Sequence, residues 1–193
     1  VCNESNPTCA GGTADAIKAH QYAGDVYNFY MTNHGRDSID GAGMSIISTT
    51  NSSTIITAHW SGTQMIYGAG WSAADDVVAH ELTHGVTDYT SDLFLYWQAG
   101  AINESFSDLW GEFTDLTNGS GTDTAAVRWK IAEDAPGGAV RDMKNPALYS
   151  DPDKMTSSFY YTGASEEEGV HINSGINNKA VVLMVDGGTF NGQ

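Results

Sequence analysis

Apolar residues recur every three to four positions near the start of the chain, between about Asp15 and His34. The members of this series are Ile17, Tyr22, Val26, Phe29 and Tyr30. This spacing places them on one face of a helix, and Gly35, which follows directly, is a residue type that commonly ends one. The pattern therefore predicts an amphipathic helix from near Asp15 to His34.

Three shorter runs rich in β-branched residues come next, separated by Asn-Ser-Ser and Ser-Gly turns. Runs bounded in this way are typical of strands. The predicted strands are Met44–Thr49, Thr54–Trp60 and Thr63–Tyr67. The glycine-rich segment 68–70 then ends the β-rich half of the chain.

Helical spacing returns after this segment. Asp75 and Asp76 suit the start of a helix because negative charge is favourable there. A second helix is predicted over about 101–116 and a last one from near Ser174, with an irregular stretch over 136–169 between them.

Together these patterns predict an α+β fold with two parts. A β-rich N-terminal lobe takes residues 1–74 and a mainly helical lobe takes residues 75–193. A chain of 193 residues with 40% apolar residues can bury one or two cores. No apolar run approaches the roughly 18 residues of a membrane span, so we expect a soluble protein without a membrane partner.

Acidic residues outnumber basic ones by 24 to 8, which gives a net charge of −16. This charge argues against nucleic acid or anionic lipid as a partner. Cys2 and Cys9 could close a small disulfide loop, which would fit an extracellular compartment; two free thiols in a flexible tail are the alternative. The chain does not begin with a signal peptide, so export would require its earlier removal.

The segment with the clearest chemistry is His80-Glu81-Leu82-Thr83-His84. Histidines four positions apart lie on one face of a helix and can reach the same zinc ion, which leaves one coordination position for water. Glu81 could take a proton from that water and pass it to a leaving amine. Two surface histidines on an amphipathic helix would show the same short pattern.

The next predicted helix carries a second pair of this kind. Glu104 and Asp108 are also four positions apart, and Glu104 could complete a zinc shell of two histidines and one carboxylate. Asp108 could accept the outer N–H of a zinc-binding histidine and fix its tautomer. Two complementary helical faces favour a metal site over two unrelated surface patches.

With these residues the sequence resembles the thermolysin-like neutral metalloproteases, which include the bacillolysins, vibriolysins and pseudolysin. The matching segments are DVVAHELTHGVTDYTS, GAINESFSD and GVHINSGINNKA, with AHQYAGDVYNFY and W-x-G-x-Q-M-x-Y-G upstream. The resemblance covers about His20 to Gly188. It implies a thermolysin-like architecture in which the zinc helix lies between the two lobes.

The resemblance also implies a secreted zinc endopeptidase that prefers apolar residues after the scissile bond. His80, His84 and Glu104 would bind zinc. Glu81 would be the general base and acid, and Asp108 would orient His80.

Further roles follow for residues outside the two helices. His171 would hydrogen-bond the developing oxyanion, and Arg141 would hold the peptide carbonyl beyond the scissile bond. Backbone groups near Ala58 and Trp60 would pair with an extended substrate. The apolar pocket would be lined by Val77, Ile131 and Val140.

Three positions depart from the family pattern. Leu95 stands where a tyrosine usually assists the oxyanion, and the adjacent Tyr96 could replace it only if the loop shifts. Glu166 takes the place of an aspartate that orients the active-site histidine, and Thr57 that of an asparagine that binds substrate backbone. We expect the reaction class to be kept and the substrate preference to differ.

Five acidic residues could form a calcium site behind the active-site helix, because calcium prefers hard oxygen ligands. They are Asp76, Glu112, Asp115, Asp123 and Glu133. Arg128 and Lys130 lie near positions that are acidic in relatives with two calcium ions, and their charges could neutralise the same carboxylates without metal. We expect one calcium ion, as in the pseudolysin-like members.

The chain lacks much of the first β-rich segment and the final helices that the family has after Gly188. Without those helices, apolar surface from Val181 to Val185 would be exposed unless a complementary chain covers it. The first hypothesis is an active endopeptidase with peptide or protein substrates. The second is an inactive fragment or subunit that acts as a binding partner, and the third is a zinc hydrolase of another class, such as an amidase.

Overall fold

The computed structural model describes residues 2–192, except for the side chain of Glu166. The helices are α1 (Ala14–His34), α2 (Asp75–Asp88), α3 (Trp97–Asn118), α4 (Glu166–Asn173) and α5 (Gly175–Asp186). The strands are β1 (Ser48–Ser52), β2 (Ala58–Trp60), β3 (Met65–Gly68), β4 (Lys130–Ile131) and β5 (Arg141–Asp142). The predicted α+β class is confirmed, whereas the division of the lobes at residue 74 stays a prediction.

Helix α1 begins and ends where its sequence provides caps. The Thr13 hydroxyl accepts a hydrogen bond from the Ala16 N–H at 3.2 Å, and Gly35 ends the helix in the left-handed conformation with φ 62°. The helix predicted from near Asp15 is therefore confirmed. Cys2 and Cys9 form a disulfide, and the predicted pairing is likewise confirmed.

The three strands of the first half form one mixed sheet in the order β1-β3-β2, with β1 parallel and β2 antiparallel to β3. The first predicted strand is wrong over 44–47. The backbone groups of Met44 are hydrogen-bonded to side chains and not to a neighbouring strand. The Met44 N–H donates to Asp40, and the Ser38 hydroxyl donates to the Met44 carbonyl. Strand β2 lies at the edge of the sheet.

Helix α2 is buried along nearly its whole length, between α1, the sheet and α3. A glycine permits the close contact with α3, because a Cβ at Gly111 would lie 2.9 Å from the Asp76 carbonyl oxygen. Helix α3 begins at Trp97, earlier than the predicted start near Ala101. Gly100 lies inside this helix and does not end it. A glycine is needed there because a side chain would collide with Val170 of α4.

Helix α4 opens with three residues in the left-handed region, Glu167, Glu168 and Gly169. Helix α5 follows almost at once, as predicted from near Ser174. Within the described part of the chain, none of the helices combines the length and apolar character needed to cross a membrane. At the end of α5, Met184 is 76% exposed and Val185 49% exposed, whereas Val182 is buried.

Candidate active site

Helices α2 and α3 bring three ligand groups together. His80 Nε2 lies 3.0 Å from His84 Nε2 and 3.4 Å from Glu104 Oε2, and His84 Nε2 lies 3.4 Å from Glu104 Oε1. In a tetrahedral shell with zinc bonds of about 2.0–2.1 Å, neighbouring ligand atoms are about 3.3–3.4 Å apart. The three groups therefore fit a zinc ion, and among the described residues they form the one such set, within 4.8 Å of one another.

The far side of His80 contacts a buried ionic network. Its Nδ1 lies 2.9 Å from Asp108 Oδ1, and Arg141 donates to both oxygens of Asp108, at 2.8 and 2.6 Å. The Asn178 amide donates to Asp108 Oδ2 at 2.8 Å. The predicted contact between Asp108 and His80 is thus present, and Arg141 has a partner that the sequence did not indicate.

The network shifts the pKa values of its members. Burial opposes a charge on His80, but the carboxylates of Asp108 and Glu104 outweigh it and raise its pKa to about 10. Burial alone would raise the pKa of Asp108, yet Arg141 and His80 hold it well below its usual range. Metal binding at His80 must therefore displace a proton.

His84 is held by residues that the sequence analysis did not single out. Its Nδ1 lies 2.9 Å from Asn103 Oδ1 and 3.2 Å from Ser107 Oγ, while the Asn103 amide donates to the Leu93 carbonyl at 2.9 Å. Asn103 and Ser107 lie close to Glu104 in the segment GAINESFSD, and this proximity is the feature of the sequence that could have identified them. These contacts fix the orientation of the imidazole.

The carboxylate of Glu104 is directed into the site. It is 2% exposed, and its Oε2 makes no hydrogen bond with any described group. Burial would raise the pKa of Glu104, but the nearby His84, His171 and His80 hold it well below its usual range. A buried, ionised oxygen of this kind is suited to a cation.

Helix α4 places His171 at the rim of the same site. Its Nε2 lies 3.5 Å from Glu104 Oε2, and its side chain is 45% exposed. The role of Glu166 in orienting His171 stays a prediction, because that side chain is outside the described residues.

A cavity of about 300 Å³ opens beside the three ligand groups. Glu81, which is buried, lies on its wall next to His80, and Arg141 and His171 are also part of the lining. The apolar lining includes Val77, Ile131 and Val140, as well as Thr57, Ala58, Trp71 and Ala132. These are the groups that hydrolysis of a bound peptide would need within reach of one another.

Three other predicted positions, Trp60, Leu95 and Tyr96, do not line this cavity. The indole N–H of Trp60 donates to Asp88 at 2.6 Å, and the backbone of Trp60 is part of the edge strand β2. Tyr96 is 58% exposed and Leu95 half-buried, and neither is part of the cavity lining. Tyr96 could assist an oxyanion only if its loop shifted.

The five residues predicted to bind calcium lie at the start of α2, on α3, in the loop after α3 and just after β4. We call Asp76, Glu112, Asp115, Asp123 and Glu133 the acidic cluster. Burial and neighbouring carboxylates raise the pKa of Asp76 to about 7 and those of Glu112 and Glu133 to about 8. Burial and its acidic neighbours also raise the pKa of Asp115. Like charges crowd here without enough cations.

Several oxygens of the acidic cluster are inaccessible and make no hydrogen bond with a described group: Glu112 Oε2, Asp115 Oδ1 and Glu133 Oε2. The other Glu112 oxygen accepts from the Trp129 N–H at 2.6 Å. Among the described residues, only the zinc set has ligand atoms that all lie within 4.8 Å of one another, so the acidic cluster is not a comparably compact group.

Neither basic residue considered above neutralises the acidic cluster through an ion pair. Arg128 pairs with Asp186 at 2.7 Å and lies over the ring of Trp129. Lys130 is not a member of any ion pair found over residues 2–192. Arg128 still lowers the pKa of Glu112 through its charge, but burial and the neighbouring acids outweigh it.

The sequence matches two family profiles that together cover nearly the whole chain. The profile described as thermolysin metallopeptidase, catalytic domain, matches residues 2–88, and that described as thermolysin metallopeptidase, alpha-helical domain, matches residues 91–193.

Individual relatives are similar over most of this chain. The thermostable neutral protease NprT of Geobacillus stearothermophilus is 42% identical over 200 residues, which cover 97% of this chain and 35% of the relative. A zinc metalloproteinase of Renibacterium salmoninarum is 40% identical over 209 residues, which cover 95% of this chain and 38% of the relative. The chain thus spans little more than a third of the length of these curated relatives.

A solved structure is similar as well. The precursor of protealysin, a metalloproteinase from Serratia proteamaculans, superimposes with a TM-score of 0.81 at 31% identity. The match covers 95% of this chain and 62% of that chain.

Proposed function

This chain belongs to the thermolysin metallopeptidase family, and we propose on that premise that it is a zinc-dependent endopeptidase. The observation that carries the proposal is the convergence of His80, His84 and Glu104 within 4.8 Å beside a cavity that Glu81 lines. The ligand types, their spacing and the buried Glu104 oxygen all suit zinc.

Zinc bound by these groups would polarise a peptide carbonyl and make water a stronger nucleophile. Glu81 accepts the proton that the attacking water loses and delivers it to the leaving amine. His171 donates a hydrogen bond to the oxyanion as negative charge develops on it. Asp108 holds His80 by its outer nitrogen, so that the imidazole keeps its orientation during the reaction.

The substrate lies extended along the edge of the sheet. Strand β2 pairs with β3 on one side, and backbone groups near Ala58 and Trp60 on its other side add the peptide as a further strand. Arg141 borders the cavity and holds the carbonyl beyond the scissile bond. An apolar residue after that bond is preferred because Val77, Ile131 and Val140 line its pocket.

We infer that the acidic cluster binds one calcium ion. Its unpaired buried oxygens and raised pKa values support this role, since both are relieved by a divalent cation. The remaining finer assignments are that the protein is extracellular, for which the Cys2–Cys9 disulfide is the support, and that a complementary chain covers Met184 and Val185.

Digestion of an unfolded test protein, with the products mapped by mass spectrometry, tests the proposal. We expect zinc-loaded protein to cleave peptide bonds, a zinc chelator to abolish cleavage, and Glu81→Gln to lower kcat by about 10²–10⁴-fold while zinc content stays the same. Glu4→Gln, at an exposed position, serves as the matched control.

Two outcomes separate the alternatives. Full activity in Glu81→Gln would refute the proposed base. If the zinc-loaded protein binds peptides without cleaving them, the hypothesis of a binding fragment or subunit replaces that of an active protease.

A further inference from the structure

A second cavity, of about 210 Å³, lies between the start of α3 and the start of α4. Its principal walls are Trp97, Gln98, Tyr160, Tyr161, Glu168 and Asn173. Cavities for whole small-molecule ligands usually measure roughly 300–1,000 Å³, so this one is of the size for a single side chain. Neither the zinc set nor the acidic cluster contributes to it.

The aromatic wall of this cavity is held in place by α4. The Tyr161 N–H donates to Asn173 Oδ1 and the Asn173 amide donates to the Tyr161 carbonyl, both at 3.0 Å. The Tyr161 ring packs on Gly169, where a Cβ would lie 2.5 Å from Cδ1 of the ring, and its hydroxyl is hydrogen-bonded to Ser165. The wall is therefore preformed.

One carboxylate is part of the lining of this aromatic cavity. Glu168 lines it, and its Oε2 is inaccessible to solvent and makes no hydrogen bond with any group that the structure describes. A buried carboxylate oxygen without a partner is unfavourable unless a guest supplies one. The residue is also in the left-handed conformation, with φ 62°, which non-glycine residues adopt at a cost and often at functional sites.

We propose that this cavity is a specificity site for a lysine or arginine side chain of the substrate. A cation there would pair with Glu168 and contact the faces of Trp97, Tyr160 and Tyr161, which attract positive charge. The chain's net charge of −16 favours basic peptides over acidic ones in the same way.

Two lining residues lie on the helices that carry groups of the active site, Trp97 on α3 and Glu168 on α4. Trp97 precedes Glu104 by seven residues in α3, which corresponds to roughly 10 Å along a helix axis. An extended peptide covers that distance in about three residues. The basic residue would therefore lie two or three positions from the scissile bond. The inference rests on the proposed function for the substrate class, but binding tests it separately from turnover.

The test uses full-length, zinc-loaded Glu81→Gln protein and fluorescent peptides that differ at one position, lysine against norleucine, moved in turn along three positions on each side of the scissile bond. We expect lysine to bind about fivefold to tenfold more tightly at one position. Glu168→Gln should bring this ratio close to one. Glu167→Gln removes the same charge from an exposed neighbour outside the cavity and should keep the preference.

Equal affinities for the two peptides at every position, or a lysine preference that Glu168→Gln leaves intact, would overturn the inference. Cleavage by protein with Glu81 restored is measured on the same peptides. A lysine preference in binding without any cleavage would refute the protease proposal and leave the specificity site standing.

Discussion

Helices α2 and α3 carry two groups of carboxylates that respond to burial in opposite ways. Around the zinc set, Glu104 and Asp108 have pKa values well below their usual range. In the acidic cluster, Asp76 and Glu112 have pKa values of about 7 and about 8. All four side chains are at most 2% exposed, so desolvation does not explain the difference.

The difference comes from the cations that each group of carboxylates meets. Asp108 lies between Arg141 and His80, and burial strengthens the attraction of paired charges as it penalises single ones. The hydrogen bond from the Trp129 N–H and the charge of Arg128 lower the pKa of Glu112, but burial and the neighbouring acids outweigh them. The carboxylates of the zinc end are therefore paired with cationic side chains, whereas those of the acidic end are crowded by one another.

The largest effect is expected from His84→Ala, which removes one of three zinc ligands. Zinc content, measured by atomic spectroscopy after gel filtration, should fall from about one ion per chain to almost none, because two ligands hold zinc far more weakly than three. His59→Ala, at an exposed position outside the set, is the control and should retain zinc. Full metal occupancy in His84→Ala would contradict the ligand assignment.

Asp108→Asn should destabilise the zinc end whether or not metal is present. Breaking a buried ion pair and leaving Arg141 uncompensated costs about 3–5 kcal/mol. Loss of the carboxylate behind His80 should also weaken zinc binding about 10–100-fold. Urea unfolding and a competition with a coloured zinc chelator measure the two effects.

The exposed Asp92 offers the matched control, since Asp92→Asn removes a charge outside the network. If both variants unfold at the same urea concentration as the parent, Asp108 is not the stabilising centre of the zinc end.

The parts of this architecture that could be predicted depend on local spacing. The pairs His80 with His84 and Glu104 with Asp108 are each four residues apart, which fixes a shared helical face whatever the rest of the chain does. The family resemblance and the α+β class, which rest on such segments, are confirmed.

The parts that could not be predicted depend on contacts between distant residues. Asn178 reaches Asp108 across 70 positions, and nothing in its neighbourhood indicates that contact. Helix α3 begins before its predicted start near Ala101, and a side chain at Gly100 would collide with Val170 and with the backbone of Leu95, contacts that local spacing does not reveal. The roles of individual residues in catalysis stay predictions, because they need a substrate to be observed.

Calcium should stabilise the acidic end by an intermediate amount. At a free concentration of about one hundred times its dissociation constant, an ion that binds only the folded chain adds about 2.7 kcal/mol. In a domain of this size that corresponds to a rise in Tm of roughly 5–10 °C. Scanning calorimetry of protein treated with a calcium-selective chelator, before and after calcium is returned, measures it.

Magnesium at the same concentration is the control, because it demands near-ideal octahedral geometry and releases its bound waters reluctantly. Zinc content is followed in the same samples so that the two metals are not confused. No change in Tm with calcium would contradict the proposed calcium site.

The smallest effect is expected from Glu112→Gln. Its effect on the stability of the fold should change sign when calcium is added. The glutamine can still accept from the Trp129 N–H, so the fold is kept. Because the pKa of Glu112 is raised in the folded state to about 8, its unfavourable contribution is absent at acid pH and grows as pH rises towards that value. Without calcium the substitution should therefore stabilise by about 1 kcal/mol at neutral pH and by less near pH 5. With calcium it should destabilise, because a ligand is lost.

Paired Tm measurements with and without calcium test this reversal. A variant that is destabilised equally in both conditions would remove the contrast between the two ends of the helix pair.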